Sequence, residues 1–209
     1  NMHSSAILNL EKFFSIYLKN FDNPKILDFG SQSLSDHIGS KVLLNKMDIN
    51  YEYTGVDIEK GNNVDIVLGD PYSFKEIPDS TYDVIISTSV FEHVEFFWLT
   101  YLEILRILKP KGIFYFNVPS NGDFHRWPQD CWRFYPDSGN ALINWAKRNN
   151  FNPCLLESYV SKQYLECGWN DYVSVTLKDE KYLESFNDRI IYNYKKLYNY
   201  KIKSYNNGL

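Results

Sequence analysis

The sequence predicts an α/β protein: a doubly wound, seven-stranded sheet, mostly parallel, with an antiparallel hairpin at one edge and helices at both termini. Three observations predict it. Apolar runs of strand length alternate with segments of helical period, the pattern of a parallel sheet covered on both faces. The last two strand patterns follow one another without a helical spacer, which requires an antiparallel pair. A chain of 209 residues, 44% hydrophobic, can bury such a core without disulfides.

Ser5–Asn20 opens the chain as a helix with Ile7, Leu8, Phe14, Ile16, Tyr17 and Leu18 apolar and Ser4 or Ser5 as cap; Asn23-Pro24 breaks it. Lys25–Phe29 is a buried-strand pattern ending at Gly30, and Ser35–Met47 a helix. Tyr51–Asp57, Val64–Leu68 and Tyr82–Ser87 supply the next strands. Glu95–Leu108 is strongly helical, with Phe96, Phe97, Leu99, Leu102, Ile104, Leu105 and Ile107 apolar. Lys109-Pro110-Lys111-Gly112 ends it, since proline cannot continue the ladder and glycine reverses the chain. Gly112–Val118 is the fifth strand, Asp137–Asn149 a helix, and Leu155–Val160 and Tyr172–Leu177 the closing pair.

Residues 1–177 read as one domain and 178–209 as a basic, tyrosine-rich appendage. Leu183, Phe186, Ile190, Tyr194 and Leu197 recur at steps of three and four, which predicts a helix over 180–205 packed on the domain or forming a homodimer seam. This tail carries +3, leaving −7 for the body.

Cys131, Cys154 and Cys167 are odd in number, far apart and without a C-x-x-C pair. Neither a disulfide framework nor a structural zinc site is expected, no metal is assigned, and the compartment reads as reducing and cytoplasmic. The N-terminus has no basic region followed by an apolar run, so no secretory leader is expected. Gly112–Val118 is far shorter than the roughly 20 residues of a membrane-spanning helix. The pI near 5.6 argues against a nucleic-acid partner.

Four features fall at strand ends, where a doubly wound sheet binds ligands. Asp28-Phe29-Gly30-Ser31 leaves the first strand; Gly30 permits close backbone approach, and Ser31 and Ser33 are small. Asp57, followed by Ile58, closes the second strand, where a carboxylate can accept from both hydroxyls of a ribose. Gly69-Asp70-Pro71-Tyr72 follows the third, where Asp70 could accept from an exocyclic amine and Tyr72 offers a face to a purine. Each alone is also an ordinary turn or a solvated acid. Ser87-Thr88-Ser89-Val90-Phe91-Glu92-His93-Val94 follows the fourth and suits a cofactor channel.

Taken in order, KILDFGS, YTGVDIE, VDIVLGDPYSF, STYDVIISTSVFEHV and LKPKGIFYFNVPS resemble the class I S-adenosylmethionine-dependent methyltransferases, over roughly Lys25–Ser120. The resemblance implies a Rossmann-like fold with S-adenosylmethionine as cofactor. It implies that Asp28, Gly30 and Ser31 flank the methionine moiety, Asp57 and Ile58 the ribose, Asp70 and Pro71 the adenine, with Ser87 and Ser89 beside the cofactor. One departure stands out: of the family's glycine-rich loop only Gly30 remains, followed by Ser31, Gln32 and Ser33.

A fifth feature, Asp123–Asp137, follows the fifth strand on the same edge and gathers tryptophans, arginines, a histidine and acids. Arg126, Trp127, Trp132, Arg133 and Tyr135 are substrate-binding candidates, since aromatic faces stack on a sugar or base and arginine grips phosphate or carboxylate. Equally, Trp132, Phe134 and Tyr135 could plug the core beneath a lid, with Arg133 paired to Asp130 or Asp137. A similar segment occurs in methyltransferases of surface-polysaccharide biosynthesis, which implies a glycan precursor or small metabolite as acceptor. Displacement at a sulfonium needs mainly alignment, and a hydroxyl acceptor also needs a base. His125 is the candidate base, His93 the second choice, and Asp130 a group that could orient the ring. The expected reaction is methyl transfer from S-adenosylmethionine to an oxygen of a small sugar, phosphorylated metabolite or glycan precursor. N-methylation of a small molecule and a non-catalytic binding module are the alternatives.

Overall fold

The computed structural model describes residues 4–33, 39–161, 168–194 and 198–201. In chain order these form α1 (Ser4–Tyr17), β1 (Lys25–Phe29), α2 (Ser40–Leu44), β2 (Glu52–Asp57), β3 (Ile66–Val67) and β4 (Tyr82–Thr88). A 3-10 turn (Phe91–His93), α3 (Phe97–Ile107), β5 (Leu108–Pro119), α4 (Pro136–Arg148), β6 (Cys154–Ser161) and β7 (Asp171–Leu177) follow. A second 3-10 segment (Glu180–Ser185), α5 (Ile190–Asn193) and β8 (Tyr198–Lys201) complete the chain.

The sheet runs β3-β2-β1-β4-β5-β7-β6-β8. β3 to β5 are parallel, and β7, β6 and β8 are antiparallel to their neighbours. The expected α/β architecture and all seven strands are present. Strand order reverses between β1 and β4, so the crevice beyond their carboxyl ends is where a ligand can enter. Alternation along β5 divides the core. Ile113 and Tyr115 face α1, where Tyr115 stacks on Phe13 at 4.6 Å, while Phe114, Phe116 and Val118 pack with Tyr101, Ile104 and Leu105 of α3.

The tail departs from expectation. No helix spans 180–205; two short turns of helix lead into β8, an eighth strand on the free edge of β6, so the β6–β7 pair is not the sheet's edge. Asn187 and Asp188 interrupt the helical period, since short polar side chains compete for the backbone. Tyr198-Asn199-Tyr200-Lys201 alternates as a strand does. Phe186, Ile190 and Ile191 are buried in the α1-side core. Leu197 and Cys167 lie outside the described residues, as does most of the segment preceding α2.

Candidate active site

Tight backbone geometry shapes the crevice. Gly30 and Ser31 donate their N–H groups to Val56 O at 2.8 and 3.1 Å, turning the chain sharply as it leaves β1. Gly30 has φ +80°, and a Cβ there would lie 2.2 Å from Val90 Cγ2. Only glycine permits that turn with Val90 in place. Beyond it opens a cavity of about 920 Å³, near the upper end of the roughly 300–1,000 Å³ usual for small-molecule sites.

On one side the cavity is lined by Asp28, Gly30, Ser31, Asp57, Ile58 and Asn63, with Pro71, Tyr72 and Ser89 nearby. Asp57 Oδ1 accepts from Ile58 N at 2.8 Å and Oδ2 from Gln32 N at 3.1 Å. Oδ1 also accepts a longer bond from Glu59 N at 3.4 Å, while Oδ2 keeps a lone pair, so the oriented carboxylate can still receive a hydroxyl. Asp28 is buried, and burial pushes its carboxyl up to about 6, against the opposing hydrogen bonds from Tyr53 and Ser40. Tyr53 OH donates to Asp28 Oδ2 at 2.8 Å and itself receives Asn63 Nδ2 at 2.7 Å. That relay fixes the floor.

On the other side stand His93, His125, Arg126, Trp127, Gln129 and Trp169, above Glu92. Glu92 is 1% exposed; burial, reinforced by Asp171 and Asp130 and opposed by Arg133, holds its carboxyl at about 8. Its Oε1 lies 3.7 Å from His93 Nε2, and its Oε2 has no hydrogen-bond partner among the described residues. His93 Nδ1 is bonded to Gln129 O, while Gln129 Nε2 donates to His93 O at 2.8 Å. Burial lowers the His93 pKa. The rings of His93 and His125 meet edge to face at 5.2 Å, and Trp169 meets His125 at 5.2 Å.

The loop between β5 and α4 divides into a cavity wall and its buttress. Asp130 accepts from Arg133 Nη1 and Nη2 at 2.5 and 2.8 Å and from His125 N at 2.8 Å, and the Arg133 bonds hold its carboxyl down at about 2. Arg133 Nη2 also donates to Asp123 O at 3.0 Å. Trp132 packs edge-on against Phe97 at 5.3 Å and donates Nε1 to Val94 O and Glu95 O. Cys131 N and Trp132 N both donate to Glu92 O, strapping the loop to the 3-10 turn. Tyr135 precedes α4, its N–H donating to Ser138 Oγ.

Of the residues singled out from the sequence, the structure brings Asp28, Gly30, Ser31, Asp57, Ile58, Pro71, Ser89, His93, His125, Arg126 and Trp127 to one cavity. It keeps others off the wall. Asp70 is exposed and accepts from Tyr72 N at 2.8 Å, so its carboxylate is an Asx turn beside the site. Ser87 is buried in β4 behind Thr88 and Ser89. Trp132, Arg133 and Asp130 form the buttress, not the lining, because packing on Phe97 and the Arg133–Asp130 pair turn them away, and Tyr135 is exposed outside the lining. Sequence reading missed Asn63 and Trp169. Gly122, with φ +98° and room for a Cβ filled by the Trp169 ring, is the one local trace of the latter.

Residues 37–116 match the family described as "Methyltransferase domain". That match covers less than half of the chain, which has a Rossmann-like fold. S-adenosylmethionine is the cofactor of such a domain, and the donor set fits: an oriented carboxylate at the end of β2, a second at the end of β1, and a glycine turn between them. The fold is similar to that of the Burkholderia thailandensis 1,6-didemethyltoxoflavin-N1-methyltransferase bound to its substrate and S-adenosylhomocysteine. There identity is 14%, coverage 84% of this chain and 79% of that one, and the TM-score 0.58. It is similar also to the [4+2]-cyclase SpnF, at 13% identity, 83% and 81% coverage and TM-score 0.59. The CurJ carbon methyltransferase gives 14%, 84% and 54%, and 0.59. At these identities the likeness is one of fold. No curated protein matches the chain in sequence. Among the described residues no helix is long and apolar enough to cross a membrane.

Proposed function

We propose that this chain methylates an oxygen of a small acceptor: a sugar, a phosphorylated metabolite or a surface-glycan precursor. The observation that carries the reading is one continuous cavity joining Asp28, Gly30 and Asp57 to the corner of His93, His125, Arg126 and Trp127. S-adenosylmethionine, when bound, would supply a sulfonium methyl whose carbon the acceptor oxygen attacks in line, the O–C bond forming as the C–S bond breaks and its electron pair stays on sulfur in S-adenosylhomocysteine.

The chain's residues hold, orient and deprotonate. Asp57 takes a ribose hydroxyl, and Ile58 and Tyr72 give the adenine apolar walls. Asp28 faces the methionine end, where its carboxylate, ionised above about pH 6, can accept an ammonium hydrogen bond. Arg126 and Trp127, exposed at the opposite wall, offer a bidentate donor and a stacking face to an anionic or sugar acceptor. His125, with Nδ1 3.2 Å from Asp123 O and its backbone N on Asp130, takes the acceptor's proton on Nε2. The Asp130–Arg133 pair positions that ring without touching the acceptor.

His125→Ala is expected to lower turnover about tenfold or more, roughly 1.4 kcal/mol in the barrier, with affinity for S-adenosylhomocysteine unchanged. The assay is transfer of labelled methyl to a panel of sugar nucleotides and phosphorylated metabolites, measured from about pH 6 to 9. A wild-type pH profile reproduced by the variant removes His125 as base. Transfer confined to amines in the panel would select N-methylation instead.

A further inference from the structure

We propose that Glu92, His93 and His125 form a binding site for a divalent transition-metal ion, opening into the cavity beside the methyl acceptor. One ligand atom from each of the three residues lies within 4.8 Å of the others, and all three line the cavity. Glu92 Oε1 and His93 Nε2 are 3.7 Å apart. Ligands about 2.1 Å from a tetrahedral zinc are about 3.4 Å apart, so closing the set needs only small side-chain shifts.

The surroundings prepare both imidazoles. His93 Nδ1 is bonded to Gln129 O, which requires the proton on Nδ1 and leaves Nε2 bare toward Glu92. His125 Nδ1 has two acceptors, Asp123 O at 3.2 Å and Asp130 Oδ2 at 3.5 Å. Arg133 Nη2, 3.4 Å away, can donate to the same Nδ1 when that nitrogen is bare. In the tautomer that donates Nδ1–H to Asp123 O, His125 Nε2 is left to ligate. These carbonyl and carboxylate contacts are the outer partners that fix ring orientation in metal sites.

Glu92 supplies the independent indication. Its carboxyl is 1% exposed, lines the cavity and has an Oε2 without a hydrogen-bond partner among the described residues, a buried polar oxygen that a ligand would satisfy. Two imidazoles and one carboxylate select a first-row ion such as Zn²⁺ over Mg²⁺, and three protein ligands leave positions open. For turnover the inference rests on the proposed methyl transfer: with the ion bound, its charge would acidify an acceptor hydroxyl and His125 Nε2 would ligate, whereas in the metal-free chain that nitrogen is the base described above. Binding itself does not depend on that reading.

The full chain, stripped with a chelator and dialysed, would be titrated calorimetrically with Zn²⁺, Co²⁺ and, for contrast, Mg²⁺. Expected are about one Zn²⁺ or Co²⁺ per chain, ligand-field absorption with Co²⁺, no heat with Mg²⁺, and about tenfold or more weaker binding in E92Q and H125N. Thermal melting checks each variant's fold; should E92Q unfold, H125N, on the loop, decides alone. Substoichiometric uptake, or affinity and spectrum unchanged in H125N, overturns the site. S-adenosylhomocysteine binding without metal uptake overturns it while leaving methyl transfer intact; metal uptake without S-adenosylhomocysteine binding supports the site and defeats the methyl-transfer reading.

Discussion

Glu92 and Glu157 are each 1% exposed and each held above the usual carboxylate range by burial, yet they stand in opposite halves of the sheet and serve different ends. Glu157, in antiparallel β6, accepts on Oε1 from Tyr17 OH at 2.8 Å and from Ile190 N, so one side chain ties α1 and the tail to the strand. Nearby, Ser5 Oγ donates to Asp171 Oδ2 at 2.5 Å, another link from α1 to the same half. In both acids Oε2 has no hydrogen-bond partner among the described residues, but Glu92, beyond parallel β4, lines the cavity and Glu157 does not. Buried acids in the antiparallel half hold elements together. The acid at the parallel rim lines the crevice, where the proposed ion would meet it.

Changes in each half should have separable consequences. The largest effect belongs to Gly30→Val, which adds a branched side chain at φ +80° against Val90. About 3 kcal/mol of stability should be lost in urea denaturation, together with S-adenosylhomocysteine binding. A stable variant that still binds would mean the turn is not needed at the rim. Tyr17→Phe comes next. It takes a donor from buried Glu157 and should cost about 1–3 kcal/mol with cofactor affinity untouched, whereas a loss of affinity would merge the two halves.

The third effect is a dependence on pH. Glu157 titrates at about 7 in the folded chain against about 4.3 when unfolded. The folded state therefore holds the proton more tightly, and the stabilisation is complete below the unfolded value. It falls away as pH rises to about 7. Glu157→Gln should flatten the stability profile between about pH 5 and 7, followed by thermal melting. An unchanged slope would show that Glu157 is not the group responsible.

Much of this division was legible in the sequence because it follows strand ends. Gly30 and Asp57 stand out where apolar runs stop, and the topology then places them side by side. The alternation of Ile113, Phe114, Tyr115 and Phe116 likewise assigns both faces of β5. Asn63 and Trp169 were not legible, for they reach the cavity from distant loops and carry no local period. Trp132 and Arg133 sit in the same run as His125 and Trp127, but packing on Phe97 and the pair with Asp130 turn them into support, which composition cannot express. The tail misled because steps of three and four among tyrosines and leucines look helical, while the open edge of β6 favours a strand.

The most direct test is calorimetric titration of S-adenosylhomocysteine into the wild-type chain and Asp57→Ala. Saturable binding near one per chain, weakened about tenfold or more by the substitution, is the predicted result. No heat with the wild type, or the same affinity in both, would contradict a cofactor held along the parallel rim.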